Sequence, residues 1–308
     1  MARSGRVTLT DVAEASGVSR ATVSFVLNDD PRQTISNATR ERVMAAAHEL
    51  GYVPHGIARA LREGASRIVV LSVDHGLEGN FSRSYILGLD EELAEHDHVL
   101  LVRHGRAAPE NLQKVLDAIA PRAVLRLGEA YMQGHEPDDS DWEHGFAFNA
   151  GLQIGYLADH GHSHIAMAVP DYDFPLTEAR LGYAREAARR LGLPPLERFV
   201  VPRPREAGRS AVAEALAAHP DVTALAAFDD DIALRSLTAL RDLGRRVPDD
   251  VAVIGFDETE YGSLSTPALT TVHVDAKVLG RIAAREALGL DTAGLAPVPG
   301  RIVVRESA

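Results

Sequence analysis

Residues 7–29 read VTLTDVAEASGVSRATVSFVLND, which sets an arginine, small apolar groups and hydroxyls at helical spacing. With Val23, Val26 and Leu27 inward at i, i+3 and i+4, the groups left outside are Arg20, Ala21, Ser24 and Phe25. Such a face suits the major groove of DNA. A guanidinium can bond guanine O6 and N7 together, and Ala21 or Phe25 can meet a thymine methyl. Thr8, Thr22, Ser24 and Asn28 carry groups for phosphate oxygens, which fix register without specifying sequence. Ser19, placed to cap the helix, completes this candidate set. The same pattern also fits a three-helix cap with a solvated face, and the pattern alone leaves both open.

Two other clusters invite a metal. His160-Gly161-His162-Ser163-His164 spaces imidazoles at alternate residues, yet no carboxylate is fixed nearby in sequence. Asp138, Asp139, Asp141 and Glu143 form an acidic run without the glycine and terminal Glu of a calcium loop. Solvated or capping side chains are the expectation for both, with no metal and no cofactor. The chain has no Cys, no GxGxxG and no phosphate-binding loop, so no enzyme is expected.

The elements that must position these groups fall into two textures. Thr8, Gly17 and Ser19 punctuate two short helices, and Ser36 opens a third whose Val43, Ala47 and Leu50 share a face, with Gly51 as its stop. Residues 51–67 follow, GYVPHGIARALREGASR, where about two helical turns at 55–62 are marginal alone and suit a hinge ordered by a partner. From residue 68 strands and helices alternate. Strands are expected at 68–73, 98–102, 123–127, 165–169, 199–201, 224–228 and 251–256. Helices are expected at 82–96, 109–119, 150–160, 177–191, 207–218, 231–243 and 276–288, implying parallel sheets.

Charge follows the same division. The total is −12, but residues 1–64 carry +1 and the remainder −13, so the acidic balance belongs to the second part. No apolar run approaches the roughly 20 residues that span a bilayer, and the start lacks an export signal, so a cytoplasmic protein is expected.

The opening stretch, together with ISNATRERVMAAAHELGYVPHGIARAL, resembles the amino-terminal signature of the lac-repressor (LacI/GalR) family of transcription regulators. Asp229-Asp230 with Ala233, VPDDVAVIGFDETEYGSLSTPALTTV and RIVVRESA resemble its later motifs in the same order. The resemblance implies an all-α helix-turn-helix head at 1–51, a hinge helix and linker at 52–66, and an α/β periplasmic-binding-protein-like core at 67–308. That core would hold two Rossmann-like subdomains, about 67–147 plus 275–293 and about 148–274 plus 294–308.

It also implies that Leu61 wedges into the minor groove with Arg59 near phosphates, and that His55 stands where the family usually has Asn. The loop at 30–34 is longer than usual. For the effector it implies Asp257 after Gly255-Phe256, Arg180, Asn149, Asp74, and Asp229 in place of the usual Asn of an Asn-Asp pair; Asp230 matches the second member and is expected to be structural. The region 121–148 is shorter than its counterpart. The function implied is a repressor that binds a palindromic operator as a homodimer or tetramer, tuned by a sugar or sugar derivative. A cytoplasmic solute-binding protein, or a regulator that has lost ligand response, is the alternative.

Overall fold

The computed structural model describes residues 7–27, 35–52, 66–73, 79–105, 109–127, 145–172 and 175–308. Asn28, the loop at 30–34, the hinge residues His55, Arg59 and Leu61, Asp74 and the acidic run at 138–143 lie outside the described residues. The chain folds as two compact units, one ending at Ser66 and the next beginning at Arg67.

Among its described residues the first unit is a head of three helices. Thr8 and Asp11 form a reciprocal cap on α1 (Leu9–Ser16), with the Asp11 amide donating to Thr8 Oγ1 and the Thr8 amide to the Asp11 carboxylate. Gly17 ends α1 at φ 67°, a left-handed turn that suits glycine. The Thr22 amide donates to Ser19 Oγ at 3.1 Å and starts α2 (Arg20–Leu27). Ser36 caps α3 (Asn37–Glu49) in the same way. Val12, Ala13, Val23, Val26, Val43, Ala46, Ala47 and Tyr52 make one small core. One expectation is corrected here: Leu50 caps α3 and is 38% exposed, while Tyr52 folds back to close the core, its amide donating to the Ala47 carbonyl. The helical period fails at the terminal turn because Gly51, at φ 62°, reverses the chain.

The second unit alternates as expected. It begins with β1 (Ile68–Val73), α4 (Asn80–Glu95), β2 (Val99–His104), α5 (Pro109–Ile119) and β3 (Ala123–Arg126). Among the described residues these strands form a parallel sheet in the order β2-β1-β3. Next come α6 (Phe146–Asp159), β4 (Ile165–Val169), α7 (Pro175–Arg190), β5 (Glu197–Val200), α8 (Arg205–Ala218), β6 (Ala224–Ala227), α9 (Asp230–Asp242) and β7 (Ala252–Phe256). A short α10 (Glu260–Leu264), β8 (Thr270–His273), α11 (Lys277–Leu288) and β9 (Arg301–Val303) complete it.

The second sheet runs β5-β4-β6-β7-β8-β9. It is parallel except at its last pair, where β9 lies antiparallel on β8, a departure from the all-parallel expectation. Neither β8 nor β9 is expected from the sequence, because TTVH and RIV are too short to show a period. The core of this sheet is apolar throughout β4, β6 and β7.

Late in sequence, α11 returns to the first sheet and packs on α4. The two helix backbones meet at glycines: a Cβ on Gly280 would lie 2.0 Å from the Tyr85 carbonyl oxygen, and one on Gly88 would lie 1.9 Å from that of Lys277. Beside this contact Glu92, wholly buried, accepts from Arg281 at 2.7 Å and from Arg285 at 2.5 Å. Among the described residues no helix is long and apolar enough to cross a membrane.

Candidate DNA-reading face and effector site

In the head, Val23 and Val26 are sealed inward, which leaves Arg20 and Ala21 exposed on the first turn of α2 and Ser24 and Phe25 half-buried beside them. Three of the expected phosphate contacts already have work inside the head. Thr8 caps α1, Ser19 caps α2, and the Ser19 and Thr22 hydroxyls are 2.9 Å apart. They hold the helix ends that present Arg20.

In the core, the candidate effector residues gather at the C-terminal ends of parallel strands, the place where open α/β sheets bind ligands. Asp229 follows β6 and caps α9, accepting from the Ile232 amide at 2.8 Å. Burial raises its carboxyl to about 6, reinforced by Asp231, while the Ile232 amide opposes the rise. Asp257 follows β7 at φ 91°. Its Oδ1 accepts from the Phe81 amide at 2.5 Å and its carbonyl from the Asn80 amide at 2.8 Å, so it holds the start of α4. A Cβ on Gly79 would collide with the Asp257 carboxylate, so a side chain there would have to displace it. Burial pushes the Asp257 carboxyl up to about 7, and the charges of Asp230 and Asp229 add to the push.

Arg180 is the cation that these carboxylates share. It is 3% exposed, and its guanidinium carbon sits 3.5 Å from the Phe256 ring centre and 5.2 Å from that of Phe228. Burial lowers it to about 9, so it keeps its charge at neutral pH. One terminal nitrogen donates to Gln153 Oε1 at 3.3 Å; the buried Nε finds no partner among the described residues. The Thr177 hydroxyl, three residues earlier on α7, is likewise buried and unpartnered among them.

Asp230 is tied into the fold: it is wholly buried and accepts from the Thr259 amide at 2.6 Å, Thr259 Oγ1 and Thr271 Oγ1. Asn149 also has a binding job within the fold, since its Oδ1 accepts from the Gly300 amide at 2.9 Å and anchors the chain entering β9. Asp74 lies outside the described residues.

Four residues here escape sequence reasoning: Phe228, Phe256, Gln153 and Thr177. Gln153 carries the most. Its Nε2 donates among the carbonyls of Ala227, Ile254 and Gly255, tying β6 to β7 and presenting its oxygen to Arg180. The one signal in the sequence is a lone amide in the otherwise apolar run GLQIGYL. The three histidines do not converge: His160 bonds the Tyr156 carbonyl, His162 the Thr223 hydroxyl and His164 the Ser163 hydroxyl. Among the described residues no His, Asp and Glu group is arranged to hold a metal ion.

Known proteins share both parts. Residues 8–55 match bacterial regulatory proteins of the lacI family, and residues 154–308 match the periplasmic binding protein-like domain. The HTH-type transcriptional regulator CelR of Thermobifida fusca is 31% identical over 314 residues, covering 92% of each chain. A solved CelR–cellobiose complex superposes with a TM-score of 0.61 at 27% identity, covering 98% of this chain and 100% of that one. The lac repressor dimer bound to operator and the anti-inducer ONPF shares the fold, with a TM-score of 0.76 at 23% identity over 98% and 99% of the two chains. A helical head and a two-sheet, periplasmic-binding-protein-like core, matched together along most of the sequence, leave one assignment: the chain belongs to the lacI family of bacterial regulatory proteins, DNA-binding regulators of transcription modulated by a small-molecule effector.

Proposed function

We propose that this protein represses transcription in the cytoplasm by binding a palindromic operator as a homodimer, and that a sugar-like effector resets the affinity. Residues 1–51 would read DNA, 52–66 would form the hinge, and 67–308 would sense and dimerise. The observation that carries the reading is α2: Arg20 and Ala21 stand exposed on a helix whose opposite face is sealed by Val23 and Val26. Arg20, Ala21 and Phe25 are assigned to base edges, and Thr8, Ser19, Thr22, Ser24 and Asn28 to the phosphates and helix ends that set register. His55, Arg59 and Leu61 are assigned to the hinge contacts.

Arg180, Asp229, Asp257, Asn149 and Asp74 are assigned to the effector. An arginine and carboxylates at strand ends suit a hydroxyl-rich molecule, and the cellobiose held by CelR supports a sugar-like one. A second copy is supported by β2, an edge strand among the described residues on which Val99, Leu101 and Val102 are exposed.

The test is anisotropy on palindromic duplexes recovered by genomic footprinting. Binding should weaken steeply with salt, disappear when residues 1–66 are removed, and fall about tenfold or more in Arg20→Ala, the cost of losing a bidentate base contact. Equal operator affinity for the parent and Arg20→Ala refutes the docking face.

A further inference from the structure

The charges at the ends of β6 and β7 do not balance. Among the described residues, Asp229, Asp230 and Asp257 interact with one buried guanidinium, Arg180. Asp230 is spoken for by three donors from Thr259 and Thr271. Asp229 and Asp257 are not: each accepts one backbone amide through Oδ1, and their Oδ2 atoms have no hydrogen-bond donor among the described residues. Both side chains are part-buried and neither Oδ2 is sealed, so these oxygens are open to a ligand, and among the described residues one arginine cannot neutralise the carboxylates crowded around it.

A second observation points to a bound molecule. Arg180 Nε and Thr177 Oγ1 are both buried, both without partners among the described residues, and three residues apart on one face of α7. Buried polar atoms are rarely left unpaired, and these two, one of them on the arginine that interacts with the carboxylates, ask for one ligand with several polar groups. An acidic ligand is repelled by Asp229 and Asp257. A neutral polyol supplies hydrogen bonds but no charge.

We propose that the effector is a polyhydroxylated amine, such as an amino sugar, whose ammonium is held by Asp229 and Asp257 and whose oxygens serve Arg180 and Thr177. The inference rests on the effector-site reading above and refines its ligand class. It has a proton signature. In the empty site burial holds Asp257 up to about 7, so it keeps a proton part of the time at neutrality, while Asp229, at about 6, is mostly ionised; Asp230, Asp231, Tyr172 and Arg180 are the neighbouring titratable groups. An arriving ammonium favours both carboxylates and expels protons; a neutral sugar does not.

The experiment is titration calorimetry on the full chain without DNA, in phosphate and in Tris at neutral pH. The probes are glucosamine against glucose, galactosamine against galactose, and mannosamine against mannose. In at least one pair the amine should bind about tenfold or more tighter than its neutral parent, with net proton release read from the two buffers. Asp229→Asn, which keeps a capping oxygen for α9, should bring that ratio close to one. Equal or tighter binding by the neutral sugars, no binding by any of the six, proton uptake, or an undiminished ratio in Asp229→Asn overturns the proposal. Because no DNA is present, a chain that binds the amine but no operator keeps this inference and loses the regulator reading. Operator binding that responds to neutral sugars alone does the reverse.

Discussion

Gly280→Ala should destabilise the core, against the sign that helix propensity predicts. An alanine in a helix interior is favoured over glycine by about 1 kcal/mol when nothing obstructs it. At Gly280 the new Cβ would lie 2.0 Å from the Tyr85 carbonyl oxygen, 2.7 Å from the Leu89 amide nitrogen and 3.0 Å from the Tyr85 carbonyl carbon. All three are backbone atoms, so no side chain can swing aside. An ordinary carbon–oxygen contact of about 3.3 Å requires α11 and α4 to part by about 1 Å. That opening loosens Leu89, Leu93 and Ala284, which are fully buried in the shared core, and lengthens the bonds from Arg281 and Arg285 to Glu92. Overpacking of this kind costs about 1–3 kcal/mol, which exceeds the propensity gain.

Gly155 in α6 is the control, because nothing lies within 4 Å of its Cβ position and alanine there should stabilise by about 0.5–1 kcal/mol. The assay is urea unfolding of the full chain followed by far-ultraviolet circular dichroism. If Gly280→Ala raises the midpoint as Gly155→Ala does, the backbone contact between the helices is refuted.

Two further outcomes are expected. Burial alone would push the Glu92 carboxyl up, but hydrogen bonds from Arg285 and Arg281 outweigh it and hold it below 4.5, so the ionised form is favoured in the fold. Glu92 therefore stabilises the protein above about 4.5, and this contribution fades as pH falls through its folded value. Glu92→Gln should lower the thermal midpoint at neutral pH, and the gap to the parent should close in acid; a gap unchanged by pH contradicts the ion-pair account. Ser19→Ala should cost the head about 1 kcal/mol through the lost cap, while the salt dependence of operator binding keeps its slope. An unfolding midpoint of the full chain left unchanged by Ser19→Ala, read by circular dichroism, would refute the cap.

The alternation of elements is legible in the sequence because buried parallel strands such as IVVLSV and IAMAV are continuous apolar runs bounded by polar turns. Strands β8 and β9 are hidden there, being short and owing their form to pairing partners: Thr271 with Val303 and Val272 with Ile302. Leu50 and Tyr52 exchange places for a similar reason, since the turn at Gly51 replaces helical period with chain reversal. At the effector site, Asp257, Arg180 and Asp229 are reachable through the family's motifs. Phe256 and Phe228 are not, because an aromatic in a buried strand end reads as core until a guanidinium is seen lying over it. Gly88 and Gly280 carry no local signal at all, as their need for hydrogen in place of Cβ arises between helices far apart in sequence.

Asp257 and Asp229 differ in how freely a lineage could alter them. In its proposed role Asp257 would serve the effector, and through the Phe81 amide it holds the start of α4, so a change of ligand taste made there also disturbs a helix. Asp229 asks of its fold only a cap for α9, and Asn, Asp and Ser are close to interchangeable in that role. A single Asn-to-Asp exchange at this position therefore keeps the helix cap while adding a negative charge that burial opposes and a bound cation would relieve. Diversification of effectors on this scaffold has a step that spares the helix cap and shifts its cost onto the ligand, and position 229 is where it lies.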